Sequence, residues 1–318
     1  MGHIHKGTLY DEEMQKVADQ LLEQHKIPPP IPRVIIGMTT TPKRIPHIRL
    51  AIEALLRQTI SVDVVLNVPQ VFGDRRPHWR GKSARIPEWF EELGPRLHVH
   101  EPQYDWGPAT KMLGTLDYVE KHNAAFFNSI GNDTIIVVTD DDQIWLDYAV
   151  AALLGAFVNT DSNYAWSFHG YDRDGICVGQ GGDLLLGRLG NLRQLLPWGE
   201  ELLEPAGRLK GCFLVDDLFF SAFMQFEGIP VHIAPWSRSM RRELLLKNRS
   251  STACRRSCSP VALRLRYSDS LAMGRAREDA NIQCKSELDA LGRWPADGHA
   301  TETTTPGRRK KACVVGAE

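Results

Sequence analysis

Short apolar runs alternate with amphipathic segments along the first half of the chain. A run rich in β-branched residues predicts a buried strand, and apolar residues at helical spacing predict a helix with one buried face. The predicted strands are 34–38, 62–68, 97–100 and 134–138, and the predicted helices are 45–58, 88–93, 109–122 and 146–157. Strands that alternate with helices in this way favour βαβ units and a mostly parallel sheet.

The alternation becomes less regular after residue 160. The pattern there predicts strands at 164–169 and 231–234, a glycine-rich loop at 179–183, and helices at 217–227 and 271–292. Ahead of the first strand, apolar positions at helical spacing are followed by a proline-rich linker. We therefore expect an N-terminal helical extension and linker over 1–31, a single domain over 32–292, and a polar, disordered tail over 293–318.

Three consecutive acidic residues, Asp140, Asp141 and Asp142, follow the fourth predicted strand. An N-cap of the next helix would explain one of them, but three exceed that need. In extended backbone Asp140 and Asp142 project to the same side, where their oxygens suit Mg²⁺ or Mn²⁺, while Asp141 points the other way. Ligands bind at the carboxyl ends of strands in open α/β sheets, so we favour a cation site over a cap.

Charge and length narrow the range of functions. The chain has 318 residues, with 38 Lys and Arg against 39 Asp and Glu, for a net charge of −1. The absence of a positive field argues against a nucleic acid partner. No apolar stretch approaches the roughly 20 residues of a transmembrane helix, and the N-terminus lacks the apolar segment of a signal peptide, so we expect a cytoplasmic protein.

The six cysteines lie at 177, 212, 254, 258, 284 and 313, without a Cys-x-x-Cys spacing. A zinc site at Cys254 and Cys258 lacks a histidine at ligand spacing. In a reducing compartment the better interpretation is that all six are free thiols.

Several segments together resemble nucleotide-sugar glycosyltransferases of the GT-A fold. Asp-x-Asp at a strand end is similar to their metal motif. The segments PRVIIGMTTTPKR at 32–44, LLRQT at 55–59 and YDWGPATK at 104–111 are similar to a family-2-like branch with small bacterial and algal-virus members. The resemblance spans about residues 32–235. It implies an α/β fold of the GT-A (Rossmann-like) type, a mixed, mostly parallel sheet flanked by helices, with a donor half at about 32–145 and an acceptor half at about 146–292.

The same resemblance implies a reaction. A hexosyl or deoxyhexosyl group would move from a nucleotide-diphosphate sugar, with a UDP-sugar as the expected donor, to a hydroxyl of a glycan or another acceptor. The cofactor would be Mn²⁺ or Mg²⁺, held by Asp140 and Asp142. One catalytic base without an obvious second nucleophile favours inversion at the anomeric carbon.

The residues expected to bind the nucleotide sugar follow from the matched segments. They are Thr39, Thr41, Arg44, Asn67, Asp105, Lys111, Asp140 and Asp141. Lys111 stands in the first turn of a helix after Pro108, where free N–H groups and a lysine suit a diphosphate; a solvated surface lysine is the alternative. Asn67 departs from the family, many members of which carry an aspartate at this position, so its role and the identity of the base stay open.

A second acidic pair, Asp216 and Asp217, begins an apolar helix, and N-capping again explains one acid. The resemblance implies that this pair supplies the catalytic base, for which Asp217 is the first choice and Asp216 the second. Between the two acidic sites, Trp166, His169 and the loop at 179–183 suit sugar stacking and hydroxyl recognition, although core aromatic residues and a turn are an equal alternative. His169 is also a candidate for an additional metal ligand.

Two other functions stay open. Asp140-Asp141-Asp142-Gln143-Ile144 partly fits the Asp-x-Asp-x-Thr/Val signature of haloacid-dehalogenase-like Mg²⁺-dependent phosphatases and phosphotransferases. Position 144 is isoleucine, however, and two or three strands precede the motif, whereas the signature usually lies near the first strand. A sugar-nucleotide binding protein without catalysis is the third possibility, against which the second acidic pair argues.

Overall fold

The computed structural model describes most of the predicted domain. The described residues are 30–72, 81, 84–126, 130–158, 163–204, 209–234, 262–264, 275–295 and 313–315. The predicted N-terminal helix at 8–26, residues 27–29 of the proline-rich linker, and Cys254 and Cys258 lie outside these residues.

Eight strands form one sheet, and two short pairs lie beside it. The strands in the described part of the chain are β1 Val34–Thr39, β2 Val62–Asn67, β3 Leu97–His100, β4 Ile135–Val138, β5 Gln143–Trp145, β6 Ala165–Ser167, β7 Gly170–Arg173, β8 Ile176–Gly179, β9 Leu185–Arg188, β10 Val231–Ile233, β11 Ala262–Arg264 and β12 Val314–Val315. The sheet order is β12-β10-β6-β9-β4-β1-β2-β3. Only β9 runs antiparallel to its neighbours β4 and β6. The predicted mixed, mostly parallel sheet is therefore confirmed.

Helices cover both faces of this sheet. The α-helices of the described residues are α1 Arg49–Leu56, α2 Thr110–Phe126, α3 Ala149–Val158, α4 Leu189–Leu192, α5 Leu195–Leu203, α6 Asp216–Phe226 and α7 Arg275–Ala290. Short 3-10 turns span Ile45–His47, Glu88–Leu93, Gly107–Ala109, Gly181–Asp183 and Cys212–Leu214. None of the helices described is both long and apolar enough to cross a membrane.

Successive side chains of β1 point to opposite faces of the sheet and belong to two separate hydrophobic clusters. Val34 and Ile36 pack with α1 and α3 on one face, and Ile35 packs with α2, α5 and α6 on the other. Gly37 faces α2, where a Cβ atom would lie 2.2 Å from Thr115 Oγ1. The missing side chain lets α2 lie directly against β1, which brings the first turn of α2 close to the carboxyl ends of the strands.

Most elements predicted in the first half of the chain are confirmed, with local corrections. The predicted helix at 146–157 begins later, at Ala149. Ahead of it, Gln143–Trp145 forms the short strand β5, which was not predicted and which pairs with β11. The apolar segment of β9 was not predicted, since a short buried strand has no periodicity that separates it from a helix. Val314–Val315, within the predicted disordered tail, instead pairs with β10 at the edge of the sheet.

The prediction of free thiols is wrong for four cysteines. Cys177 pairs with Cys313, and Cys212 pairs with Cys284. The partners are 136 and 72 residues apart, so their spacing along the chain carried no sign of the pairing. The prediction of free thiols depended on a reducing compartment, and the cytoplasmic location stays a prediction.

Candidate active site

A buried lysine joins the two acidic motifs. Lys111, in the first turn of α2, is only 2% exposed. Its Nζ lies 2.6 Å from Oδ1 of Asp140, which follows β4, and 2.8 Å from Oδ2 of Asp216 at the start of α6. Burial by itself would lower the pKa of Lys111, but the charges of Asp140, Asp216 and Asp217 outweigh burial and raise it. The lysine is therefore charged at physiological pH.

Asp217, the predicted base, is held at both carboxylate oxygens. The backbone N–H of Gly181 donates to Oδ1 at 2.7 Å, and Nη2 of Arg277 donates to Oδ2 at 2.6 Å. Burial and the charge of Asp216 raise the pKa of Asp217 to about 6, although Lys111 and Arg277 oppose the rise. A carboxyl group with this pKa is a stronger base than an ordinary aspartate and is still mostly ionised at neutral pH.

Asp141 points away from the lysine and towards the loop after β1. Thr40 Oγ1 donates to its Oδ2 at 2.6 Å, and Nη1 of Arg44 donates to its Oδ1 at 2.5 Å. Burial raises the pKa of Asp141 to about 6, against the opposing charge of Arg44. This contact joins the predicted nucleotide loop to the triple acid and places the carboxylate of Asp141 apart from that of Asp140. Asp141 and Asp142 lie in a turn, however, and not in the extended backbone that the sequence analysis assumed.

Asp142 of the triple acid, Asp183 of the glycine-rich loop, and His169 and Trp166 between the two acidic motifs are buried or half-buried. Asp142 and Asp183 are buried, and His169 Nδ1 lies 3.4 Å from Oδ2 of Asp183. Trp166 is also buried and packs against His232, so it belongs to the core and not to a sugar-stacking surface. The metal role of Asp142 stays a prediction.

The residues predicted to hold the nucleoside lie at the carboxyl ends of β1 and β2 and before α2. Thr39 Oγ1 donates to the carbonyl of Asn67 at 2.9 Å, and the carbonyl of Thr41 accepts from the backbone N–H of Arg44. Oδ1 of Asp105 accepts from the backbone N–H of Gly107. These contacts fix the loops, and the nucleotide-binding roles of these residues stay predictions.

Asn67 is turned into the protein. It is fully buried, and its Nδ2 donates to Thr115 Oγ1 at 2.9 Å and to the carbonyl of Met38 at 3.2 Å. Thr115 Oγ1 in turn donates to the carbonyl of Lys111 at 2.7 Å. The amide of Asn67 thus connects β1 and β2 to the turn of α2 that carries Lys111, a structural contact that its position in the sequence did not reveal.

Sequence reasoning missed two parts of the site. Arg277 comes from α7, and neither periodicity nor motif links it to Asp217. The loop at 179–183 was considered for sugar recognition or as a simple turn, but its close approach to the acidic cluster was not predicted. A Cβ on Gly182 would lie 2.5 Å from Oδ2 of Asp140, and one on Gly181 would lie 3.1 Å from Cε of Lys111. Small residues in a predicted acidic site were the one signal available, because they allow backbone to approach charged groups closely.

The acidic cluster does not by itself provide a full set of metal ligands. In the part of the chain described, no three His, Cys, Asp or Glu side chains form a ready metal centre. Mg²⁺ usually takes one or two protein carboxylates together with substrate phosphates and water. Two cations face three carboxylates in the cluster, namely Lys111 and Arg277 against Asp140, Asp216 and Asp217. The excess negative charge and the oxygen donors fit a divalent cation that binds with a diphosphate.

No family model and no curated protein sequence matches the chain. The fold resemblance expected from the sequence is nevertheless found among solved structures. The mannosyltransferase PcManGT from Pyrobaculum calidifontis, in complex with GDP-Man and Mn²⁺, is 16% identical with a TM-score of 0.41, and the match covers 87% of this chain and 82% of that one. The galactosyltransferase LgtC, in complex with donor and acceptor sugar analogues, is 10% identical with a TM-score of 0.36, and the match covers 82% and 99%.

A structure whose name is not that of a glycosyltransferase matches the fold to a similar degree. 4-Diphosphocytidyl-2C-methyl-D-erythritol synthase is 12% identical with a TM-score of 0.36, and the match covers 64% of this chain and 89% of that one. At such low identities and TM-scores, the likenesses concern the arrangement of the sheet and helices and carry no information on the substrate or the reaction.

Proposed function

We propose that the chain is a glycosyltransferase that moves a hexosyl or deoxyhexosyl group from a nucleotide-diphosphate sugar to an acceptor hydroxyl. The supporting observation is the buried lysine that bridges Asp140 and Asp216 beside Asp217. It joins an acidic strand end, suited to a cation and diphosphate, to a carboxylate suited to proton abstraction. The pKa of Asp217, raised to about 6, suits this carboxylate to the role of a general base.

The donor would lie at the carboxyl ends of β1 and β4. Lys111 would face the diphosphate, since a permanently charged ammonium stabilises phosphate oxygens. Thr39, Thr41, Asp105 and the Arg44–Asp141 pair would border the nucleoside, because they form the loops around that end of the sheet. A UDP-sugar is the donor that we would test first.

Asp217 would act as the general base. Its carboxylate takes the proton of the acceptor hydroxyl while the hydroxyl oxygen forms a bond to the anomeric carbon. The bond between that carbon and the diphosphate oxygen breaks, and the nucleoside diphosphate leaves with the bonding electrons. Lys111 stabilises the charge that develops on the leaving oxygen. Attack opposite the leaving group inverts the anomeric centre.

Asp140 and Asp142 would hold Mn²⁺ or Mg²⁺ with the diphosphate. When bound, the cation supplies Lewis-acid stabilisation of the leaving group. Asp140 has its side chain 37% exposed, so part of its carboxylate is open to a ligand even though Lys111 contacts Oδ1.

The test compares donor binding with transfer. We would measure thermal shifts with UDP-, GDP- and dTDP-sugars, with and without Mn²⁺, and follow release of the nucleoside diphosphate with mixed glycan acceptors. Asp217→Asn is expected to keep the metal-dependent donor shift and to lose transfer by at least about a hundredfold, since a general base contributes about that much or more. Asp147→Asn is the matched control, because Asp147 is an exposed aspartate that pairs with Arg57.

Three outcomes separate the alternatives. Transfer by Asp217→Asn at the wild-type rate would show that Asp217 is not the base. Phosphatase activity without a response to any nucleotide sugar would favour the haloacid-dehalogenase-like reaction with Asp140 as nucleophile. A donor shift in the absence of transfer to any acceptor would favour a sugar-nucleotide binding protein.

A further inference from the structure

A basic residue from the end of the domain reaches the proposed base. Arg277 lies in the first turn of α7, and its Nη2 is 2.6 Å from Oδ2 of Asp217, 60 residues earlier in the chain. The side chain of Arg277 is 44% exposed and that of Asp217 is 6% exposed. The arginine thus approaches the buried carboxylate from the solvent side of the cluster.

The helix that carries Arg277, α7, is bonded to the segment at 210–212, which precedes α6 and Asp217. A disulfide joins Cys284 of α7 to Cys212 in the turn before α6. The carboxylate of Glu287 accepts from the backbone N–H groups of Lys210 and Gly211, at 3.1 and 3.0 Å. A Cβ on Gly211 would lie 2.5 Å from the backbone nitrogen of Cys284, so the two segments are in direct backbone contact. Arg277 is therefore held at a fixed place relative to α6.

We propose that Arg277 is a positioning residue that holds Asp217 in the orientation and charge state in which it takes the acceptor proton. The proposal rests on the proposed function, since it assumes that Asp217 is the base. An ionised carboxylate has about four lone-pair positions. Gly181 and Arg277 occupy one on each oxygen, which fixes the carboxylate plane and leaves the others for the acceptor hydroxyl.

Charge supports the same role. The groups that act on Asp217 are Asp216, Asp140, Lys111, Arg277 and the phenol of Tyr171. Burial and the two aspartates disfavour its ionised form, and the two cations favour it. Lys111 is shared with Asp140 and Asp216, whereas Arg277 bonds Asp217 itself. Loss of an adjacent cation typically raises the pKa of a carboxyl group by about one unit or more.

The test is the pH profile of transfer by Arg277→Met and Arg277→Lys. If the acid limb of the wild type has its midpoint at about 6, a rise of about one unit in Arg277→Met reduces the ionised fraction at pH 6 from about one half to about one eleventh. We therefore expect kcat to fall about fivefold at pH 6 and by less than about a tenth at pH 8 from this cause. Arg277→Lys restores a cation, so its midpoint should return towards that of the wild type.

Glu278→Gln is the matched control. Glu278 is the neighbouring residue of α7 and its exposed carboxylate pairs with Arg173, so the variant removes an ion pair of the same helix without changing the contacts of Asp217. Its pH profile should equal that of the wild type. Thermal denaturation of all three variants checks that α7 stays docked, which we expect because both substituted side chains are substantially exposed.

The following results would overturn the proposal. A pH profile of Arg277→Met with an unchanged midpoint, whether kcat is normal or uniformly reduced, would show that Arg277 does not set the charge state of Asp217. An increase in the KM for the donor with the same midpoint would make Arg277 a donor-binding residue instead. Failure of the proposed function looks different, because the wild type would then transfer no sugar from any nucleotide sugar. If only the assignment of the base is wrong, Asp217→Asn retains the wild-type transfer rate.

Discussion

The disulfide between Cys212 and Cys284 is a test of the fold that the sequence alone would not suggest. Both cysteines are fully buried, and their bond joins the turn before α6 to the middle of α7. Cys284→Ala removes the bond and leaves the thiol of Cys212 in the core. The free energy of unfolding of Cys284→Ala should be much lower than that of the wild type, because α7 is otherwise a polar, mostly exposed helix that needs an anchor.

The magnitude follows from the length of the closed loop. The partners are 72 residues apart. In the chain-entropy model, a loop of this length lowers the stability of the unfolded state by about 4 kcal/mol, and removal of a native disulfide typically costs about 2–5 kcal/mol. Because a folded domain is stable by only about 5–15 kcal/mol in total, this loss is a large fraction of the whole.

The assay is urea unfolding of protein produced under oxidising conditions. The free energy of unfolding of Cys284→Ala should be about 2–5 kcal/mol lower than that of the wild type. Cys212→Ala combined with Cys284→Ala should lose about the same as the single variant, because one bond is removed in both cases. Thiol titration in denaturant without reductant should find at most two thiols, since four of the six cysteines are paired.

Two results would refute this reasoning. Six reactive thiols in unreduced, denatured protein would show that neither pair forms, and they would support the cytoplasmic, reduced protein expected from the sequence. A Cys284→Ala variant within about 0.5 kcal/mol of the wild type, with the bond present in the wild type, would show that α7 is held mainly by its packing and hydrogen bonds.

Two further substitutions test the packing and the charge of the site. Gly37→Ala would place a Cβ 2.2 Å from Thr115 Oγ1, so it should destabilise the fold by about 1–3 kcal/mol in urea unfolding. The control Gly131→Ala, whose Cβ would have its nearest atom 4.0 Å away, should change stability by less than about 0.5 kcal/mol. Equal losses in the two variants would contradict the close approach of α2 to β1. Lys111→Met removes the partner of two carboxylates and should cost about 3–5 kcal/mol near pH 7. The pKa of Lys111 is raised in the folded state. The contribution of Lys111 to the stability of the wild type is therefore complete below the ordinary lysine pKa of about 10 and is lost only as pH rises above that value. A contribution that disappears between pH 7 and 9 would contradict the ion-pair geometry.

The sequence by itself determined the part of the sheet that β1, β2 and β4 form. Continuous apolar runs specify the buried strands at 34–38, 62–68 and 134–138, since only a strand covered on both faces has so few polar positions. Parallel pairing then places the residues after each strand at one edge. For that reason Thr39, Asn67 and Asp140 could be expected together from the sequence, whereas the turn at Asp141 and Asp142 was not predicted.

The second half of the domain was decided by tertiary structure. The direction of β9 is set by the strands beside which it packs, and its short Leu-Leu-Gly-Arg segment has no pattern that specifies this direction. The bond from Cys212 to Cys284 and the contact of Arg277 with Asp217 span 72 and 60 residues.

Periodicity and motifs report what a segment buries locally, whereas contacts at such distances depend on how the whole chain closes. The sequence therefore indicated which residues carry charge and oxygen ligands. Only the packed structure decided that Lys111 lies between two carboxylates and that Asp217 is held by an arginine from another helix.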